Sequence, residues 1–256
     1  MNSKKRLSIV GIILLFVFAL ISLSIYFHLN QKGNGKQANT TNPVEVKKPK
    51  PIKEVKPEEE KEEEEIVIEE AKMITKQLTL SQSIQENNYF CVPACVQMIF
   101  RYHNIEVSQT QLANEMHTHP ITGSEYVDTA NVLNKYLFHK TDIKDNEPGY
   151  RIQTIAINDQ NPQIMQDLEK RVIMDIETGD PLLVAINRFV IYPNLSKANH
   201  MILVVGYDML DNKIQSYHII DPSHLVQDGT KKGLKTIDVE TLRQAIIQNE
   251  EPAYIW

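Results

Sequence analysis

The pattern of apolar and polar positions changes near residue 73, where a long charged stretch gives way to alternating strand and helix signals. Residues 73–80 alternate as a half-buried strand does. Four later segments repeat apolar positions at helical spacing, and two of them begin with a serine that can cap a helix. The predicted helices cover residues 91–103, 108–116, 124–138 and 164–177.

The C-terminal half contains three short runs rich in branched apolar residues, at residues 182–189, 201–207 and 215–220. Runs of this length and composition are typical of buried strands. A helix at residues 238–248 and a short strand at residues 254–256 complete the pattern. The order of elements predicts an α+β domain over residues 73–256, with helices in its first half and an antiparallel sheet in its second.

An uncharged apolar run over residues 7–27 follows Lys4, Lys5 and Arg6. As a helix it would be about 31 Å long at ~1.5 Å per residue, which is enough to cross the hydrocarbon core. The residues after the run lack the small-x-small pattern of a cleavage site, so a retained transmembrane helix is favoured over a cleaved signal. The positive-inside rule predicts a cytoplasmic segment at residues 1–6. We therefore expect a single-pass membrane protein whose domain lies outside the cytoplasm, at a bacterial cell surface.

Between the predicted span and the domain, residues 28–72 form a segment rich in Lys, Pro and Glu, and residues 45–70 alone hold eleven Glu and six Lys. Prolines and like charges keep such a segment extended, and it offers little apolar surface to bury. The composition predicts a disordered tether; an acidic surface for a basic partner is the alternative. The net charge of the whole chain is −6, which argues against a nucleic-acid partner.

Candidate chemistry lies where the first long predicted helix begins. A polar, turn-like stretch runs from Gln85 into Cys91, and Pro93 follows in the first turn, where a helix accepts proline readily. Unpaired N–H groups and the helix dipole at this position favour a thiolate over a thiol, and the thiolate is the nucleophile. The second cysteine, Cys95, follows one turn later, where the geometry is poor for a disulfide and the spacing is wrong for zinc. We expect Cys95 to be a small residue of the core.

Two further residues are brought together by a predicted hairpin. His200 stands at the start of the strand at residues 201–207, and Asp221 follows the strand at residues 215–220. If these strands pair through residues 208–213, the start of the first lies beside the end of the second. We therefore expect His200 and Asp221 to be neighbours.

Gln85 and then Cys91 at a helix N-terminus, followed much later by His200 and by Asp221 before Pro222, resemble the motifs of papain-like cysteine peptidases. The chain is still more similar to the bacteriocin-processing peptidases that remove double-glycine leaders, and to their stand-alone relatives. The resemblance extends over residues 73–256 in order and spacing. It implies a papain-like fold and a cysteine peptidase that acts on a peptide or protein substrate.

The resemblance also implies a role for each residue. Cys91 matches the nucleophile, His200 the general base and acid, and Asp221 the group that orients the imidazole. Gln85 matches the side-chain donor to the oxyanion, with the backbone N–H of Cys91 as the second donor. This chemistry requires no cofactor and no metal.

Two features depart from that family's pattern. Val92 stands where the family usually has glycine, so we expect its β-branched side chain to crowd the entrance to the oxyanion site. No transporter is appended, which puts a Gly-Gly substrate in doubt. Two other functions therefore stay open: acyl or amide transfer on the same residues, and a catalytically inactive surface binding module with the same fold.

Overall fold

The computed structural model of the protein describes residues 72–256. The predicted transmembrane helix at residues 7–27 lies outside these residues, as does the predicted linker apart from its last residue. Within the part of the chain that the structure describes, no helix is long and apolar enough to cross a membrane. The anchor and the linker therefore stay predictions.

The described residues form six α-helices, seven strands and one 3₁₀ helix. The helices are α1 (Cys91–Tyr102), α2 (Gln109–Glu115), α3 (Tyr126–Leu137), α4 (Gln163–Thr178), α5 (Arg188–Ile191) and α6 (Val239–Ile247). The strands are β1 (Met73–Gln77), β2 (Ile152–Thr154), β3 (Leu182–Asn187), β4 (Asn199–Leu210), β5 (Lys213–Ile220), β6 (Leu234–Asp238) and β7 (Ala253–Ile255). The 3₁₀ helix covers His224–Val226.

All seven strands belong to one antiparallel sheet in the order β2-β7-β3-β4-β5-β6, with β1 paired to the second half of β4. Strands β4 and β5 form a hairpin whose turn residues, Asp211 and Asn212, have φ angles of 48° and 60°. Positive φ at both positions is the conformation that matches the twist of two paired strands. This tight turn places the start of β4 beside the end of β5.

Helices cover both faces of the sheet, which explains the near-continuous apolar sequence of its central strands. Along β4, Met201, Leu203 and Val205 pack in a core formed with α1, α2 and α3. Ile202 and Val204 pack in a second core formed with α4 and α6. Alternate residues of one strand therefore serve opposite cores, as the side-chain period of two requires.

The predicted combination of helices with an antiparallel sheet is confirmed, but its division into a helical half and a sheet half is incomplete. Strands β1 and β2 come from the first half of the domain and join the sheet at β4 and β7. Strands β2 and β6 have no counterpart in the sequence pattern because they are short and mostly half-exposed or exposed. They therefore lack the apolar run or strict alternation that reveals a buried strand.

Two predicted boundaries are wrong because polar side chains bind other partners. The strand predicted to reach Phe189 ends at Asn187, whose side chain accepts a hydrogen bond from the Phe189 N–H at 3.1 Å and caps α5. Ser124 does not cap α3, since its hydroxyl lies 2.8 Å from the hydroxyl of Thr118. The N-cap position of α3 is Glu125.

Candidate active site

Cys91 is the first residue of α1 and is partly exposed, whereas the helix residues from Val92 to Phe100 are buried. No side chain caps the helix at Phe90, so the N–H groups of the first turn stay available at the Cys91 end. This position favours the charged form of the thiol. The expectation for Val92 is wrong: its side chain is 5% exposed and packs in the core, not at the entrance to the oxyanion site.

Cys95 fixes α1 against the first residues of β4. Its Sγ–H donates to the carbonyl oxygen of Met201, with 3.6 Å between sulfur and oxygen. Because Cys91 precedes Cys95 by one helical turn, this contact brings Cys91 to His200, the neighbour of Met201. Burial raises the pKa of Cys95 well above its usual value, and the charges of Cys91 and Asp221 raise it further. Cys95 is therefore a neutral thiol at pH 7.

His200 and Asp221 lie together at the ends of neighbouring strands. His200 is the second residue of β4, and Asp221 directly follows β5. The distance from His200 Nε2 to Asp221 Oδ1 is 2.7 Å, and their side chains are 6% and 0% exposed. Since Asp221 occupies Nε2, Nδ1 is the ring nitrogen left to face Cys91, whose pKa His200 lowers.

Backbone groups hold Asp221 in place. The N–H of Ser223 donates to Asp221 Oδ1 at 2.8 Å, and the N–H of Asp221 donates to the carbonyl oxygen of Gly233 at 3.0 Å. A Cβ added to Gly233 would collide with the carbonyl oxygen of Asp221, so the close approach requires glycine at this position. The second carboxylate oxygen, Oδ2, is buried and has no hydrogen-bond partner among the described residues.

The charges at the site favour an ion pair between Cys91 and His200. Burial raises the pKa of Cys91, but the hydrogen bond and charge of His200 and the N–H groups of Met201 and Val92 together lower it below its usual value. Burial lowers the pKa of His200, but the charge and hydrogen bond of Asp221, followed by those of Cys91, raise it to about 10. The shifts have opposite directions, and both favour the thiolate–imidazolium pair over the neutral pair.

Gln85 is buried and is connected to the residue after Asp221. Its backbone N–H donates to the carbonyl oxygen of Pro222 at 2.9 Å. Its side-chain Nε2 donates to the carbonyl oxygen of Asn87 at 2.8 Å, and its Oε1 has no partner among the described residues. A primary amide carries two N–H bonds, so one donor of Gln85 remains for a further acceptor.

Two tyrosines lie near the site, and no pattern in the sequence predicts their positions. The hydroxyl of Tyr126 donates to the carbonyl oxygen of Glu251 at 2.6 Å. Burial raises the pKa of Tyr126, and the charges of Glu251 and Cys91 raise it further. Burial and the charge of Asp221 likewise raise the pKa of Tyr192. Both tyrosines are distant in sequence from the residues they approach, so only the tertiary fold reveals them.

Another histidine is buried on the far half of the β4–β5 hairpin. His218 Nε2 lies 3.0 Å from Asp208 Oδ2, and His218 Nδ1 lies 2.6 Å from Gln77 Oε1. No thiol belongs to this group. Across residues 72–256, no group of three or more His, Cys, Asp or Glu side chains is arranged to hold a metal ion.

The chain is similar to one protein family and to several solved structures. A family model, the Peptidase_C39 like family, matches residues 75–245. The chain is similar to a double glycine motif protease from an AMS/PCAT transporter, solved in complex with the leader peptide, at 14% identity over 70% of this chain and 91% of that one, with a TM-score of 0.43. It is similar to the peptidase domain of Streptococcus ComA, a bifunctional ABC transporter involved in quorum sensing, at 12% identity over 71% and 96%, with a TM-score of 0.42.

A third similar structure is a protein from Bacillus anthracis described as a C39-like peptidase, at 15% identity over 70% of this chain and 96% of that one, with a TM-score of 0.44. A comparison with curated proteins finds no match. The resemblance to the bacteriocin-processing peptidases is confirmed at the level of the family. Because the family model covers well over half of its residues, the chain belongs to the Peptidase_C39 like family.

Proposed function

We propose that the chain is a cysteine peptidase in which Cys91 attacks the carbonyl carbon of a peptide bond, with His200 and Asp221 as its partners. The observation that carries the proposal is the 2.7 Å contact between His200 and Asp221, with Cys91 near enough to the same imidazole for each of the two to shift the pKa of the other. Cys91 is partly exposed at the N-terminus of α1. Membership of a peptidase family supports the same class of reaction.

The reaction begins from the thiolate–imidazolium pair. The sulfur of Cys91 forms a bond to the carbonyl carbon, and the π electrons of the C=O bond move to the oxygen. The C–N bond then breaks as His200 gives its proton to the leaving amine, which leaves a thioester on Cys91. A water molecule loses a proton to His200 and attacks the thioester, and the acid product and the thiolate are released.

Asp221 and Gln85 support different stages of this reaction. The charge of Asp221 stabilises the imidazolium, and its hydrogen bond fixes the ring so that Nδ1 faces sulfur. Gln85 and the backbone N–H of Cys91 are the proposed donors to the oxyanion; the Cys91 N–H lies in the first helical turn, where it has no acceptor within the helix. One fixed donor to an oxyanion contributes about 2.7–4 kcal/mol in a measured case.

The membrane anchor is a second part of the proposal. We propose that residues 7–27 span the membrane, that residues 28–72 are a tether, and that residues 73–256 are displayed outside the cytoplasm. The uncharged run and the basic residues before it support this arrangement. After cell fractionation, the full-length chain is expected to stay in membranes washed with alkaline carbonate and to be digested by protease added to intact cells. Release by carbonate, or complete protection from protease, would contradict the proposal.

The reaction itself is tested with a mixture of synthetic peptides and the full-length protein, with products identified by mass spectrometry. We expect cleavage by the wild type and by Cys95→Ala, and none by Cys91→Ala. A short-lived adduct with the mass of an acyl group should appear on Cys91, and added hydroxylamine should intercept it as a hydroxamate. Equal cleavage by Cys91→Ala would exclude the proposal. Products that always carry an added amine, even with water as the major nucleophile, would assign acyl transfer instead.

A further inference from the structure

The hydroxyl group of Tyr192 and the Oδ2 atom of Asp221 are both buried, and neither has a hydrogen-bond partner among the described residues. A buried carboxylate oxygen without a donor is unfavourable, because the charge has lost its contacts with water. The other oxygen, Oδ1, already accepts from His200 and from the N–H of Ser223. Asp221 therefore lacks a donor on one side only.

Tyr192 is held in a closed loop between β3 and β4. Its N–H donates to the carbonyl oxygen of Arg188 at 2.9 Å, and its own carbonyl oxygen accepts from the N–H of Leu195 at 2.9 Å. The loop is closed at its base, where the N–H of Arg188 donates to the carbonyl oxygen of Ala198 at 3.0 Å. Backbone bonds on both sides of Tyr192 thus limit where its ring can lie.

The hydroxyl of Tyr192 is close to the carboxylate of Asp221. After burial, the charge of Asp221 and hydrogen bonding to its carboxylate are the causes that raise the pKa of Tyr192. The hydroxyl is therefore within reach of Asp221, although the contact falls short of strict hydrogen-bond geometry. A phenol hydroxyl rotates about one bond, so its proton can turn towards a carboxylate oxygen beside it.

We propose that Tyr192 is a positioning residue, whose hydroxyl donates to Asp221 Oδ2 and so keeps Oδ1 directed at His200. This role rests on the proposed function, because it acts through Asp221 and His200 on Cys91. With donors on both oxygens, the carboxylate cannot rotate and exchange them. The imidazole is then held in the orientation that leaves Nδ1 for the thiol.

The test measures alkylation of Cys91 by iodoacetamide at pH 6 in the full-length protein. Tyr192→Phe should slow the reaction about tenfold, the effect of one hydrogen bond of about 1.4 kcal/mol on a rate. Tyr217→Phe is the matched control, because the Tyr217 hydroxyl is also buried without a partner but packs in the core on the α4 and α6 side. It should leave the rate unchanged. A rate in Tyr192→Phe equal to or above the wild type, or an equal loss in Tyr217→Phe, would overturn the proposal.

A second measurement does not depend on the folding of Tyr192→Phe. In the wild type, the hydroxyl proton of Tyr192 should give an exchange-protected NMR signal that disappears in Asp221→Asn and persists in Asp208→Asn. A signal that is unaffected by Asp221→Asn, or no protected signal in the wild type, would contradict the hydrogen bond.

The outcomes for Tyr192 and for the proposed function are distinguishable. If alkylation of wild-type Cys91 does not depend on His200, the proposed function fails and the positioning role fails with it. If alkylation depends on His200 and Tyr192→Phe has no effect, only the positioning role fails. Loss of the rate in Tyr192→Phe, with an unchanged melting temperature, supports both.

Discussion

Two histidine–aspartate pairs connect strands β4 and β5. In one pair the histidine belongs to β4, and in the other it belongs to β5. In the first pair, His200 is the second residue of β4 and Asp221 follows β5, with 2.7 Å between nitrogen and oxygen. In the second, His218 lies in β5 and Asp208 in β4, at 3.0 Å. The same side chains on the same two strands therefore allow a comparison of what their surroundings contribute.

The pairs differ first in the partner of the ring nitrogen that does not contact the aspartate. In the first pair, the remaining nitrogen of His200 is left for the thiol of Cys91 at a helix N-terminus. In the second, Nδ1 of His218 lies 2.6 Å from Gln77 Oε1, so both ring nitrogens already have oxygen partners. A histidine–aspartate pair can activate a nucleophile only where one nitrogen is free to face it.

The carboxylates also differ. The side chain of Asp221 is 0% exposed, and that of Asp208 is 24% exposed. The hydroxyls of Ser216 and Thr75 each donate to Asp208 at 2.6 Å. These hydrogen bonds, together with His218, outweigh burial and lower the pKa of Asp208 to about 2. Thr75 and Gln77 belong to β1 and contact Asp208 and His218. The second pair therefore connects β1 to β4 and β5, which is a structural role.

The largest difference is expected when each histidine is removed. His200→Ala should lower kcat/KM for a cleaved peptide by about 10⁶-fold, as expected when a base that acts as a unit with its nucleophile is lost. His218→Ala should leave kcat/KM unchanged and lower the melting temperature, because β1 loses a connection to β5. Steady-state kinetics and thermal unfolding measure the two effects. Equal kinetic losses in two folded variants would remove the distinction between the pairs.

Replacing the two aspartates should also affect activity differently, but by a smaller factor than replacing the two histidines. Asp221→Asn is expected to reduce kcat by about 10⁴-fold, because the amide no longer stabilises the imidazolium or holds the correct tautomer. Asp208→Asn should leave kcat unchanged, since Asp208 contacts no group of the proposed reaction. The kinetics are measured beside circular dichroism, which checks that both variants are folded. Full activity in Asp221→Asn would contradict the assigned role of its charge.

The two glutamines separate oxyanion stabilisation from thiolate formation. Gln85→Ala should reduce kcat by about 10²- to 10³-fold while leaving the alkylation rate of Cys91 unchanged, because alkylation forms no oxyanion. Gln77→Ala is the matched control, since it removes the amide beside His218, and kcat should not change. A parallel loss of alkylation and peptide cleavage in Gln85→Ala would mean that Gln85 acts on the thiol and not on the oxyanion.

The smallest expected effect is on the pH dependence of the free energy of unfolding, to which the ionised side chain of Asp208 contributes. Its pKa of about 2 in the folded protein lies below the ordinary value of about 3.9, so its ionised form stabilises the fold above pH ~4. That contribution is lost as the pH falls from about 4 through 2. Because the carboxylate is partly exposed, we expect about 1 kcal/mol. Melting temperatures of the wild type and Asp208→Asn should converge on acidification; a constant difference would contradict this assignment.

Long apolar patterns predicted most of the central architecture. Helices α1 and α4 and strands β3, β4 and β5 bury continuous faces, and burial of such faces is what periodicity reports. Boundaries were less predictable where one polar side chain decides them, as Asn187 does at the end of β3. Strand β6 could not be predicted because its stability comes from pairing with β5 and not from its own composition.

In the candidate site too, some features could be predicted from the sequence pattern and others depend on the tertiary fold. Cys91, His200 and Asp221 were predictable because each stands at the end of an element with a strong pattern of its own. The position of Val92 was not, since the sequence does not tell which side of the first helical turn faces the core. The approach of Tyr192 to Asp221 could not be predicted either, because it depends on the path of the loop between β3 and β4.

The central claim is that His200 keeps Cys91 in its thiolate form, and the pH profile of Cys91 alkylation tests it most directly. Full-length wild type, His200→Ala and Cys95→Ala would be treated with iodoacetamide across pH 4–9, with the labelled cysteine identified by peptide mapping. We predict that Cys91 in the wild type and in Cys95→Ala reacts well below the ~8.5 of a free thiol, and that His200→Ala removes this reactivity. An ordinary thiol profile that is unchanged in His200→Ala would contradict the account and favour a binding module without turnover.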